Sequence, residues 1–268
     1  MKFDSMRAWR DGVAALSGNR EVLTVVGGLF LLLPNLAFGL LVDPPNAVPG
    51  AAPAAAMAAL KAFLVAAGPW LTLVAVIQLI GQLTVVSLIG EQPRPTVGEA
   101  LRAGLTALPS ALLAQIVVGI IVIAALIVPS LLLGLTGSPI LVAIGWLYLA
   151  CLFSARFCLT VPTIVIERER NPFAAIARSW RKTAGNGLRV GNFFALLTVA
   201  AIVLLVLATI LVGVLLALTT GEGTAAKVVS GLFTGVLATG AVVLMMGVIV
   251  AIYRQLSGDD QGAARTFD

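Results

Sequence analysis

The chain has 268 residues, 60% of them hydrophobic and only 11% charged, with a net charge of +5. A soluble domain carries about 25% charged residues, so this composition excludes a soluble fold and points to a polytopic membrane protein. The cations sit at the ends of apolar runs and not along one polar face, which assigns them to membrane topology and excludes nucleic acid as a partner.

The first 20 residues carry Phe3, Met6, Trp9, Val13 and Leu16 at helical spacing, with Lys2, Arg7, Arg10 and Asp11 on the other face, and predict an amphipathic surface helix. Span one follows over 22–42, broken by Pro34-Asn35, and residues 43–53 read as an external loop. Span two covers 63–89, with Trp70 as an interface anchor. Thr96 and Glu99 form a capping box before a second amphipathic helix with Val97, Leu101, Leu105 and Leu108 on one face. Spans three (111–135) and four (140–166) are joined by a tight turn at 136–139. Asn171 and Pro172 are the cap and first residue of a third amphipathic helix, whose apolar face is Phe173, Ile176, Ala177, Trp180 and Ala184. Spans five (190–218) and six (228–256) complete the chain, and 257–268 read as a polar, disordered tail.

Fold class is therefore an all-α integral membrane protein with six transmembrane helices and three cytosolic-side amphipathic helices. They form one domain over 1–256, in three consecutive repeats of an amphipathic helix and two spans (1–90, 91–166, 167–256). Arg10, Arg102 and Arg178 align across the repeats, all in one orientation. The N-terminus, the two internal amphipathic segments and the tail hold 14 of the 17 cations, so the positive-inside rule puts both termini in the cytosol.

Arg156 lies 11 residues before Glu167, about 16 Å along a helix and so near mid-bilayer if Glu167 marks the interface. An unpaired arginine there costs at least ~3 kcal/mol, so it faces the bundle and finds partners, with Gln78, Gln82 and Gln115 as candidates. Two readings stand: a structural arginine tying helices together, or a contact for a ligand or lipid headgroup. Arg178, Arg181 and Lys182 form the strongest basic cluster, for anchoring or for a headgroup or partner protein. Pro34 and Pro162 kink their spans. Gly27, Gly28, Gly231, Gly235 and Gly240 suit close helix packing. Cys151 and Cys158 are packing residues. The chain has no histidine and its spans no carboxylate, and no nucleophile–base pair or metal-ligand spacing is recognisable. No catalytic residue, metal or cofactor is expected.

The stretch from Arg156 through Pro162 and Glu167 to Pro172, Ser179, Trp180, Thr183 and Gly185 resembles the membrane domain of the glycerophosphoryl diester phosphodiesterase family. It is also similar to the YciC-type bacterial inner-membrane proteins. In that family the domain can be fused to a phosphodiesterase, whose acidic and histidine residues this chain lacks. The resemblance implies a membrane module in the bacterial inner membrane. The expected function is a non-enzymatic protein that binds membrane lipids, or supports a membrane or cytosolic partner protein in envelope lipid metabolism. The alternative is a transporter or channel for a lipid-like or small amphiphilic substrate.

Overall fold

The computed structural model describes residues 3–42, 53–91, 95–135, 137–219 and 224–264, and among these every regular element is helical. In chain order they are α1 (Ser5–Ser17), α2 (Arg20–Gly27), a π turn (Gly28–Leu32), α3 (Leu33–Leu41), α4 (Pro53–Gly90), α5 (Val97–Gly134), α6 (Pro139–Phe157), α7 (Thr160–Ile166), α8 (Pro172–Lys182), α9 (Gly187–Thr219) and α10 (Thr224–Ala264). Six segments are long and apolar enough to cross a membrane: 20–41, 57–90, 97–132, 140–166, 187–216 and 228–258. Each packs against its neighbours in chain order, and α10 returns to the first span.

At 38 residues each, α4 and α5 are about 57 Å long, nearly twice a ~30 Å hydrocarbon core. The surplus length is gathered at one end. There the last turns of α4 and α10 and the first turns of α5 pack with α1, α7 and α8 into a compact cap. One core of this cap includes Leu79, Leu83, Val86, Ala100, Ala107, Ile164 and Val250, and a second includes Phe3, Ala155, Leu159, Val190, Ile249 and Ile252. The opposite halves of the spans expose large side chains such as Ile123, Leu131, Leu204 and Leu211, as a lipid-facing surface does.

The helix starts follow the local chemistry. Asp4 Oδ1 accepts from the N–H groups of Met6 and Arg7, Thr96 and Glu99 bond reciprocally, and Asn171 Oδ1 accepts from those of Phe173 and Ala174. Four and eight residues beyond these caps stand Ala8 and Gly12, Ala100 and Gly104, and Ala175 and Ser179, all buried. A methyl on Gly12 would lie 3.0 Å from the Val248 backbone, and one on Gly104 3.1 Å from Thr84 Oγ1. The amphipathic segments thus bury small residues, which let backbones approach. Of the apolar faces expected from helical spacing, Phe3 and Ile176 are buried, Trp9, Leu16 and Leu108 pack partly buried against the cores, and Met6, Val13, Val97, Leu105, Phe173 and Trp180 are exposed, so each face is buried only in part.

Other boundaries also differ from expectation. The second amphipathic segment is continuous with span three in α5, the helix running on through Pro109. The first and third segments end at Gly18-Asn19 and at Gly185, whose φ of 78° is open to glycine. Span one is interrupted by the π turn just before Pro34, where a methyl on Gly81 of α4 would lie 2.5 Å from Phe30 Cβ. Span four breaks at Cys158-Leu159, which leaves Pro162 in the first turn of α7, where its missing N–H costs nothing. Span two begins its helix at Pro53, the last residue of the loop expected over 43–53, and the rest of that loop lies outside the described residues. The expected disordered tail is helical to Ala264, and 265–268 lie outside the description. Gly27, Gly231 and Gly235 face side chains of neighbouring spans, whereas Gly28 and Gly240 face open space.

Candidate functional site

Arg156 is in the last turn of α6, where α8 ends and α9 begins. Its backbone carbonyl, at the break between α6 and α7, accepts from Ser179 Oγ at 2.9 Å and faces Thr183 Oγ1 at 3.4 Å. Its guanidinium lies 4.9 Å from the centroid of the Trp180 ring, and Nη1 donates to the Thr183 carbonyl at 3.5 Å. Gly187 completes the cradle, since any side chain there would overlap the guanidinium. Trp180 also packs on Phe157, with ring centroids 5.5 Å apart. The residues Arg156, Ser179, Trp180 and Thr183 therefore converge on one lock between α6, α8 and α9, with Gly185 turning the chain and Pro162 buried in α7 behind it.

This is not the site expected for Arg156. The hydrogen bonds and ring contact of Arg156 run to α8, and no contact joins it to the glutamines. Gln78 and Gln82 are half-buried on α4, and Gln115 is exposed on α5. Arg156 is level with the first turn of α9, at the edge of the cap. The break at Cys158-Leu159 and the return of α8 alongside α7 put it there.

Glu167 is the centre of a second cluster. Arg178 Nη1 donates to Glu167 Oε2 at 2.9 Å, and Arg178 Nη2 donates to Glu169 Oε2 at 2.7 Å. Tyr253 Oη donates to Glu167 Oε1 at 2.7 Å, and Lys182 Nζ bonds the same oxygen. Lys182 also donates to Ser257 Oγ at 2.8 Å and lies 4.5 Å from the centroid of the Tyr253 ring. Burial pushes the Glu167 carboxyl up, but the hydrogen bonds from Lys182, Tyr253 and Arg178 outweigh it and hold the group below the usual carboxylate range. Of the three cations expected at a headgroup site, Arg178 and Lys182 are thus paired with carboxylates of the protein itself. Arg181 is exposed and has no ion pair among the described residues, as are Arg10, Arg102 and Arg189.

Sequence reasoning missed the stretch of α10 at 253–257. Beside Tyr253 and Ser257, Arg254 donates to the carbonyls of Ile89 and Gly90, capping α4. Gln255 exchanges hydrogen bonds of 3.3 Å with the backbone of Asp4. Five consecutive residues, 253–257, therefore include four that tie α10 to α1, α4, α8 and the α7 end. The one local signal was the polar run Tyr-Arg-Gln at the end of an apolar span. Asn186 is a similar case, accepting from the Phe3 N–H at 3.1 Å.

An apolar groove lined by Gly134, Val142, Ala143 and Trp146 lies at the turn between α5 and α6, far along both helices from Arg156. Comparison with protein-family models, with curated proteins and with solved structures finds no match.

Proposed function

We propose that this chain is a non-enzymatic membrane module whose cap engages anionic lipids, in the setting of envelope lipid metabolism. The observation that carries the reading is the shared design of the three amphipathic segments. Each buries a stripe of small residues and exposes large apolar side chains beside an arginine: Met6 and Val13 with Arg10, Val97 and Leu105 with Arg102, Phe173 and Trp180 with Arg181. An exposed apolar face flanked by cations suits the headgroup boundary, and each cation near an anionic surface contributes about 1 kcal/mol.

The reading includes three repeats around the bundle. Register from the caps at Asp4, Thr96 and Asn171 supports it, and it aligns Arg10 and Arg102 with Ala177, one residue before Arg178. It also puts the cap in the cytosol of a bacterial inner membrane, supported by the excess of cations at this end. Kinship with the phosphodiesterase-associated membrane domain is part of the proposal, and the convergence of the motif residues at Arg156 supports it. The transporter reading has weaker support, because Arg156 and the glutamines do not form one polar path.

The test is lipid retention after extraction from vesicles of mixed phosphatidylcholine and phosphatidylglycerol. The wild type is expected to enrich the anionic lipid about fivefold per engaged cation, and the variant R10Q/R102Q/R181Q/R189Q to lose most of the preference. Equal retention of the two lipids by the wild type overturns the reading.

A further inference from the structure

We infer that Arg156 holds a phosphate group at the edge of the cap, presented by a membrane lipid. The inference rests on the lipid-contact reading above and narrows it to one site. Among the described residues, no carboxylate lies within ion-pair distance of Arg156, in contrast to Arg178 and Lys182 nearby in the fold. A guanidinium has five N–H donors in a planar fork, and the protein takes one of them, in a long contact of 3.5 Å to Thr183. The C-terminus of α8 supplies about half a negative charge, which leaves the cation under-compensated.

The surroundings suit a lipid phosphate. Trp180 covers one face of the guanidinium and is itself 44% exposed, and Leu188 beside Gly187 is 70% exposed. Because Gly187 has no side chain, the backbone at the start of α9 comes against the guanidinium. A tetrahedral oxyanion matches the arginine fork in two-point contact. An aromatic and an aliphatic side chain exposed beside it suit the glycerol and upper acyl region of the same molecule. A carboxylate would satisfy the fork, but the lipid phosphate is the anion that a bilayer delivers at this level.

Native mass spectrometry of the whole chain tests this, with phosphatidylglycerol and inorganic phosphate as separate probes. The wild type is expected to retain one phosphatidylglycerol tightly, R156Q to bind it about tenfold more weakly, and R181Q/R189Q to keep it. R156K preserves the charge without the fork and is expected to lie between, so it reads the site even if R156Q folds poorly. Equal retention by wild type, R156Q and R156K overturns this inference and leaves the broader lipid reading intact. Loss of the lipid in R181Q/R189Q alone assigns it to the surface arginines and also overturns the inference. Saturation by inorganic phosphate at the lipid's own affinity keeps the phosphate chemistry and overturns the lipid as its source.

Discussion

Removal of the two hydroxyls that face the Arg156 carbonyl gives the sharpest mutational prediction. Ser179 is fully buried and its Oγ donates to that carbonyl at 2.9 Å. Thr183 Oγ1 has one hydrogen and three acceptors within reach, Ser179 O at 3.0 Å, Trp180 O at 3.1 Å and Arg156 O at 3.4 Å. It serves its own helix first. In S179A the Thr183 hydroxyl can rotate to the Arg156 carbonyl, so the expected cost is about 1 kcal/mol, that of one ordinary hydrogen bond. T183V keeps the shape and removes a bond whose acceptor also takes the Thr183 N–H, so about 0.5 kcal/mol is expected. The double variant leaves the half-buried Arg156 carbonyl without either hydroxyl and is expected to cost about 3 kcal/mol, at least ~1 kcal/mol more than the sum of the single changes. Thermal unfolding in detergent micelles, followed by circular dichroism, reads this at roughly 2–4 °C per kcal/mol. Additive single and double effects would refute the shared role of the two hydroxyls.

Three further changes probe other parts of the cap. In E167Q, Lys182, with a side chain only 14% exposed, loses its counter-ion, at a cost of about 2 kcal/mol for this partly buried pair. The carboxyl of Glu167 is held below its unfolded value, so its contribution is present above about pH 4 and is lost as pH falls through the folded value. Melting temperature against pH should therefore fall less on acidification in E167Q than in the wild type, and parallel curves would count against the cluster. Arg168 has a φ of 55°, a left-handed conformation that costs a residue with a side chain about 1 kcal/mol. R168G is expected to raise the melting temperature, the gain reduced by glycine's greater unfolded freedom and by the loss of a 3.7 Å contact to Glu91 on an exposed side chain. G81A is expected to destabilise by about 2 kcal/mol or more, because its methyl meets Phe30 Cβ at the π turn; an unchanged melting temperature would mean that α4 does not approach the first span there.

The elements themselves were legible because their signals are local. Six apolar runs gave six spans, and Thr96 with Glu99 and Asn171 with Pro172 marked helix starts that the structure reproduces residue by residue. The faces were legible only in part, with Phe3 and Ile176 buried as expected. Helical spacing ranks Met6, Leu105 and Phe173 as the buried stripe, because it weighs hydrophobicity and ignores how near two backbones can come. In the fold, Gly12, Gly104 and Ser179 permit the close approach, and Met6, Leu105 and Phe173 are exposed. The partners of Arg156 and Glu167 were hidden for a related reason. Ser179 is 23 residues from Arg156, and Tyr253 is 86 from Glu167, so both contacts depend on how α8 and α10 return to the cap. The basic run at 178–182 looked like free charge because its neutralising carboxylates precede it by a turn of chain that only the folded loop closes.

The central claim is that the Arg156 lock lies at the boundary between cap and bilayer, with Trp180 facing the lipid. Depth-dependent quenching of Trp180 tests it most directly, in a W9F/W70F/W146F background reconstituted with lipids brominated at shallow or deep positions. The account predicts quenching by the shallow label, weakened when R156Q releases the ring. Quenching by the deep label alone would put the arginine at mid-bilayer and contradict the account.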